Sequence, residues 1–310
     1  MSKQGMACGL ALVAALGQSS AFALVGGSVD ANLADSPWAG VGAITINGNV
    51  YSGVLLDSQH VLTAAHVVAG QAGTPGNVSF SLNVGGSLTH TYSASAISVY
   101  GGYTGTAPGA DGVWHDDLAI VRLAAPVTAG VSGYGLYNGS LTNQTLTLVG
   151  YGAGGDGVNG VTSGANASVK RVGQNNVDAQ FVDDDGGAFN EVFLFDFDGP
   201  DSSTNYFGAD NKPGNGTLGE FVEAQFAGGD SGSPVFVDDN GVWKIAGIAN
   251  FNGTTSLSGD SGVLFGSIGG GAIVAPYQTW IQTVTAVPEP ETWLMLLAGL
   301  GLVGWRARVG

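Results

Sequence analysis

Short apolar runs separated by glycine, asparagine and aspartate recur along most of the chain. Val41-Gly42-Ala43-Ile44-Thr45-Ile46, Val50 to Leu56, Leu118 to Leu123, Leu146 to Val149, Phe193 to Phe197 and Trp243 to Ile248 each read as a strand. Runs of this length with turn residues between them predict an antiparallel all-β chain, not strands alternating with crossover helices. One late segment breaks the pattern. From Pro276 to Val284 the apolar residues Tyr277, Trp280, Ile281 and Val284 fall on one helical face, with proline in the first turn, which predicts a C-terminal helix.

Composition supports this reading. Glycine contributes 54 of 310 residues and charged residues only 10%, which suits tight turns better than long helices. The net charge of −16 excludes nucleic acid as a partner, because phosphate binding needs clustered Lys and Arg. The single cysteine, Cys8, lies in a segment expected to be removed, so the mature chain holds together by its core and not by disulfides.

Both ends look like processing segments. Lys3, an apolar stretch from Met6 to Leu16 and a polar break precede Ala21-Phe22-Ala23, the small-x-small pattern that signal peptidase accepts, so residues 1–23 are expected to be a signal peptide. At the other end, Pro288-Glu289-Pro290 is followed by the apolar run Trp293 to Trp305 and then Arg306-Ala307-Arg308. That run is shorter than the roughly 20 residues a spanning helix needs. The three parts in this order resemble the PEP-CTERM sorting signal, placed at 287–310. The resemblance implies processing by an exosortase and delivery to the Gram-negative envelope or beyond.

Three local patterns carry chemistry. Val61-Leu62-Thr63-Ala64-Ala65-His66 follows a turn; His115-Asp116-Asp117 leads into the apolar strand Leu118-Ala119-Ile120-Val121; and Gly228-Gly229-Asp230-Ser231-Gly232-Ser233-Pro234 follows much later. A serine hydroxyl is a weak nucleophile until an imidazole takes its proton, and the imidazole needs a carboxylate to fix its tautomer. Glycine before the Asp-Ser pair lets the N–H groups of Gly229 and Ser231 converge on one oxygen. Singly, each has an ordinary explanation as a turn serine, a backbone-satisfying histidine or a strand-end cap. Asp116 is the alternative to Asp117. His60, His90 and His115 lack comparable context and read as surface or loop residues.

Leu62-Thr63-Ala64-Ala65-His66, Asp117-Leu118-Ala119-Ile120 and Gly229-Asp230-Ser231-Gly232-Ser233-Pro234, in that order, resemble the chymotrypsin/trypsin family of serine proteases. The resemblance implies two antiparallel six-stranded β-barrels, here about 24–135 and 136–286, with the active site between them. It implies a secreted serine endopeptidase with His66, Asp117 and Ser231 as its triad and protein or peptide as substrate. It further implies that Leu24-Val25-Gly26-Gly27, released by cleavage after Ala23, supplies an amine at Leu24 that pairs with Asp230. Gln225 falls near the base of the specificity pocket, with Asn250 and Asn252 on the strand that faces substrate, and no acidic residue there favours Lys or Arg.

Three expectations complete the reading. A monomer is expected, with no cofactor beyond Ca²⁺ at the acidic stretch 183–210, where a solvated acidic loop is the favoured alternative. A catalytically silent surface or matrix binding protein on the same fold is the rival function. An esterase is disfavoured because the chain lacks the α/β pattern around its serine.

Overall fold

The computed structural model describes residues 24–286, apart from 87–88, 106–107, 110, 129, 201–202, 209–216 and 219–221. The segments read as signal peptide and sorting tail, 1–23 and 287–310, lie outside the described residues. The first half contributes β1 (Leu24–Val25), β2 (Ser28–Val29), β3 (Val41–Ile46), β4 (Asn49–Leu55), β5 (His60–Thr63), β6 (Val78–Asn83), β7 (Thr89–Val99) and β8 (Ala119–Leu123). A one-turn helix, α1 (Ala65–Val68), follows β5. The second half contributes β9 (Thr145–Gly150), β10 (Gly154–Asp156), β11 (Gly160–Ser163), β12 (Arg171–Asn176), β13 (Ala179–Val182), β14 (Asn190–Asp196), β15 (Pro234–Asp239), β16 (Val242–Gly253), β17 (Ile268–Ile273) and the helix α2 (Gln278–Thr285).

Strands β3-β4-β5-β8-β7-β6 close into an antiparallel barrel, which leaves no edge to protect. Gly42 makes its close packing possible, since a Cβ there would meet the Phe80 ring at 2.5 Å. The second lobe departs from the expected six-stranded barrel. Its strands form an eight-stranded sheet in the order β13-β14-β17-β16-β15-β9-β12-β2. The edge of β12 is taken by β2, through Arg171–Val29 and Val172–Ser28, and by a bridge from Gln174 to Glu223. With that edge occupied, no ladder joins β12 to β13 among the described residues.

The chain ends exchange partners. The N-terminal segment joins the second lobe: Val25 exchanges backbone hydrogen bonds with Gln225, and Trp38 packs on Phe236 and Trp243 at 5.1 and 4.8 Å. Buried Lys170 donates to the Trp38 carbonyl at 2.8 Å and pairs with Asp30 at 3.2 Å. In the other direction α2 covers the first lobe, where Trp280 and Tyr277 meet Tyr100 edge-on. One core therefore runs from the barrel interior through Val149, Phe236 and Ile248 to Ile281.

Candidate active site

The sequence around His66 builds a short, rigid ledge. β5 ends at Thr63, whose hydroxyl donates to the Ser52 carbonyl at 2.8 Å, and fully buried Ala64 and Ala65 let α1 start against the barrel wall. His66 then faces Asp117, two residues before β8. One Asp117 oxygen accepts the His66 backbone N–H at 2.8 Å, and the other lies 2.6 Å from Nδ1. Asp117 is buried, so its charge is spent on this one partner and not on water. The neighbouring Asp116 turns away at a positive φ of 58° and accepts the Tyr277 hydroxyl at 3.0 Å. Burial pushes its carboxyl up to about 6, even though the Tyr277 hydrogen bond pulls it down. Between the two aspartates the chain offers, Asp117 is thus the one brought to His66.

Ser231 sits on a loop of two tight turns, Asp230 N–H to Ala227 carbonyl at 2.9 Å and Ser233 N–H to Asp230 carbonyl at 2.8 Å. Gly229 and Gly232 take positive φ, 97° and 83°. A Cβ at Gly232 would come within 2.1 Å of the Thr63 hydroxyl and 2.3 Å of the Ser52 carbonyl, so only glycine lets this loop touch the first barrel. Ser52, which no local motif marks, clamps the loop. Its N–H donates to the Ser231 carbonyl at 3.0 Å, its hydroxyl donates to the Gly229 carbonyl at 3.1 Å, and that hydroxyl accepts the Tyr151 N–H at 3.0 Å. With the Gly229 carbonyl so engaged, the N–H groups of Gly229 and Ser231 have no acceptor among the described residues.

Asp230 is fully buried beneath the loop. Its carboxylate accepts Gly152 N–H at 2.9 Å and Ala227 N–H at 3.0 Å. Burial raises it to about 7 despite these bonds and the nearby Arg171 charge. Gly152 must be glycine, since a Cβ would lie 2.4 Å from that carboxylate. Leu24 is buried in β1, which pairs with β10 just beyond Gly152, and the chain still precedes it, so its nitrogen here is an amide.

Two adjoining cavities mark the cleft. One of about 190 Å³ is lined by His66, Asp117, Trp114, Asn250 and Phe251. The next, of about 360 Å³, shares Trp114, Asn250 and Phe251 and reaches Ser231, Phe226, Gly228 and Asn252. Asn252 spans it, donating to the Phe226 carbonyl at 2.7 Å. Asn250 and Asn252 therefore both line the cavity that reaches Ser231. Gln225 does not line this cavity: its amide donates to the Ser267 hydroxyl at 3.1 Å and accepts the Phe226 N–H at 2.8 Å. The strand bridge from Val25 to Gln225 turns that side chain into the sheet.

Two expectations need correction. Of the histidines read as surface or loop residues, His60 is neither, being buried in β5 beside Asp57, and His115, though on a loop, has a ring only 4% exposed among Asp111, Asp184 and Glu191. Burial lowers the His115 imidazole, but hydrogen bonds from Glu191 and Asp111 outweigh it and leave it raised. Nor is the acidic stretch a solvated loop throughout. Glu191, Asp196 and Asp198 are buried: β14, paired on both sides by β13 and β17, carries Glu191 and Asp196, and Asp198 follows two residues past its end. Burial, with repulsion from Asp196 and Glu223, pushes Asp198 up to about 8, and Glu223 rises to about 7.

A closed barrel and a second sheet that bring a histidine–aspartate pair against a serine loop define a chymotrypsin-like protein. The family model described as trypsin-like peptidase domain matches residues 51–248, and the chain belongs to that family. The PEP-CTERM protein-sorting motif matches residues 286–309, so the tail is a signal for export through an exosortase to the Gram-negative cell envelope or extracellular space. No curated protein matches the chain.

Proposed function

We propose that the chain is a secreted serine endopeptidase, and the His66–Asp117 contact of 2.6 Å, in a cavity that adjoins the one reaching Ser231, is the observation that carries this reading. Ser231 Oγ attacks the substrate carbonyl while His66 takes its proton. Asp117, holding Nδ1–H, stabilises the imidazolium that forms. The N–H groups of Gly229 and Ser231 receive the oxyanion, and the Ser52 clamp keeps them aimed outward. His66 then returns the proton to the leaving amine, and water, activated by the same ring, releases the acyl group from Ser231. Asn250 and Asn252 present neutral amides to the substrate side chain, which favours uncharged residues over Lys or Arg.

Export begins with signal peptidase cleavage after Ala23. The freed amine of Leu24 then pairs with Asp230, a carboxylate that Arg171 already faces. Intact-mass analysis of the exported protein checks this step: an N-terminus several residues from Leu24 removes it. The enzyme reading is tested with a fluorophosphonate probe on processed wild-type protein and Ser231→Ala. Labelling is expected only in the wild type. Absence of Ser231-dependent label favours a silent binding protein on the same fold.

A further inference from the structure

A second histidine–carboxylate group lies beside the triad and outside its chemistry. His115 stands on the loop before Asp117, against the β13–β14 hairpin of the second sheet. Its Nε2 is 2.9 Å from Asp111 Oδ2. Its Nδ1 faces Glu191 Oε1 and, at 3.7 Å, Asp184 Oδ1. One ligand atom from each of His115, Asp184 and Glu191 lies within 4.8 Å of the others. The second oxygen of buried Glu191 meets the Tyr277 hydroxyl at 3.0 Å, and that hydroxyl is equally close to Asp116.

We propose that His115, Asp184 and Glu191 bind a divalent transition-metal ion, with Zn²⁺ as the reference ion, and so fasten the first barrel to the second sheet beside Asp117. The balance of charge is the first support. Three carboxylates (Asp111, Asp184 and Glu191) face one imidazole, Asp116 shares the Tyr277 hydroxyl with Glu191, and no Lys or Arg pairs with any of them among the described residues. Glu191 and Asp116 are buried, and buried negative charge is costly without a cation.

Ligand proximity is the second support. His115 Nδ1 lies 3.7 Å from Asp184, near the spacing of tetrahedral zinc ligands, and in direct hydrogen-bond contact with Glu191, so an ion entering here takes the place of the proton between those two and moves them slightly apart. Orientation is the third. With Asp111 accepting from Nε2–H, Nδ1 is the ring atom left to a metal that displaces its hydrogen bond to Glu191, and Tyr277 holds the outer oxygen of Glu191; such partners are what fix ligands around an ion. One nitrogen and two carboxylates suit Zn²⁺ better than Ca²⁺, which takes six to eight oxygens. The metal expected in the acidic stretch is thereby reassigned: Asp184 and Glu191 come from that stretch, but the third ligand comes from the other lobe.

The test uses full-length protein, purified from its exported form, stripped with EDTA and titrated with ZnCl₂ by calorimetry, with melting temperature read in parallel. One Zn²⁺ per chain and a higher melting temperature are expected. His115→Gln and Glu191→Gln should abolish binding. Asp184→Asn, at an exposed side chain and so least able to disturb folding, should weaken it at least about tenfold. His66→Ala should keep the full stoichiometry. The proposal is overturned if the wild type binds no Zn²⁺, if His66→Ala loses the ion, or if Asp184→Asn binds as tightly as wild type. Binding of Ca²⁺ that survives His115→Gln overturns it as well.

Discussion

His66 and His115 each sit against carboxylates a short way apart in the fold, yet they are built for different ends. His66 spends one nitrogen on buried Asp117 and lines the cleft with a ring that is 22% exposed. His115 is 4% exposed and has acids at both nitrogens. An imidazole that must shuttle a proton needs one nitrogen facing the substrate; an imidazole that must hold two lobes together needs both engaged. Partner count and burial separate the two roles, where the presence of a neighbouring carboxylate does not.

The sharpest way to break this contrast is to disable each histidine–carboxylate pair in turn. Asp117→Asn should lower kcat by about 10⁴-fold, because the amide favours the wrong tautomer of His66, with little change in melting temperature. His115→Ala should do most of its damage to stability, on the order of 2–3 kcal/mol by chemical denaturation, since Glu191 is left buried without its partner. Equal kinetic and structural losses in the two variants would erase the distinction.

Gly232→Ala comes next. Its Cβ would strike Thr63 and Ser52 at a positive φ, so a loss of about 2–3 kcal/mol and a displaced Ser231 are expected, read as a lower melting temperature and slower probe labelling. A silent Gly232→Ala would mean that the loop does not seat on the barrel.

Acidity sharpens the comparison of the two lobes. Asp198, Glu223 and Asp230 in the second lobe have folded-state values near 8, 7 and 7, all above the unfolded range. Between about pH 4 and those values the folded chain keeps protons that the unfolded chain has lost, so stability falls as pH rises. Melting should therefore occur at a higher temperature at pH 5 than at pH 8, and a flat profile would contradict the burial of these acids. The smallest effect belongs to Asp239→Asn, which removes an exposed partner of Lys244 and should leave melting unchanged within error.

Much of this was legible in the chain because the signals were local. Period and turn residues marked the barrel strands and the helix at α2, and the three motif segments marked His66, Asp117 and Ser231. What escaped notice depends on residues brought together from afar. Ser52 looks like any small residue in a strand, and only the docked loop reveals it as a clamp. The partner of His115, Glu191, is 76 positions away. The burial of Asp196 and Asp198 was hidden because aspartates at the end of an apolar run resemble a turn, whereas here β14 is flanked on both sides by strands and ends inside the fold. The unclosed second sheet likewise follows from β2 occupying an edge, a long-range pairing that periodicity does not encode.

The Ser52 clamp has a consequence for the life of the chain before it folds. Ser52 and Gly229 are separated by 177 positions, so the loop carrying Ser231 is held only after nearly the whole chain has been made and the two lobes have met. Contacts of such long range form late, because the loop they close is entropically costly. On the proposed enzyme reading, a chain exported before its lobes meet would carry Ser231 on a slack segment. Hydrolytic power, on this view, is withheld by topology until the journey is over, with no inhibitor required during transit.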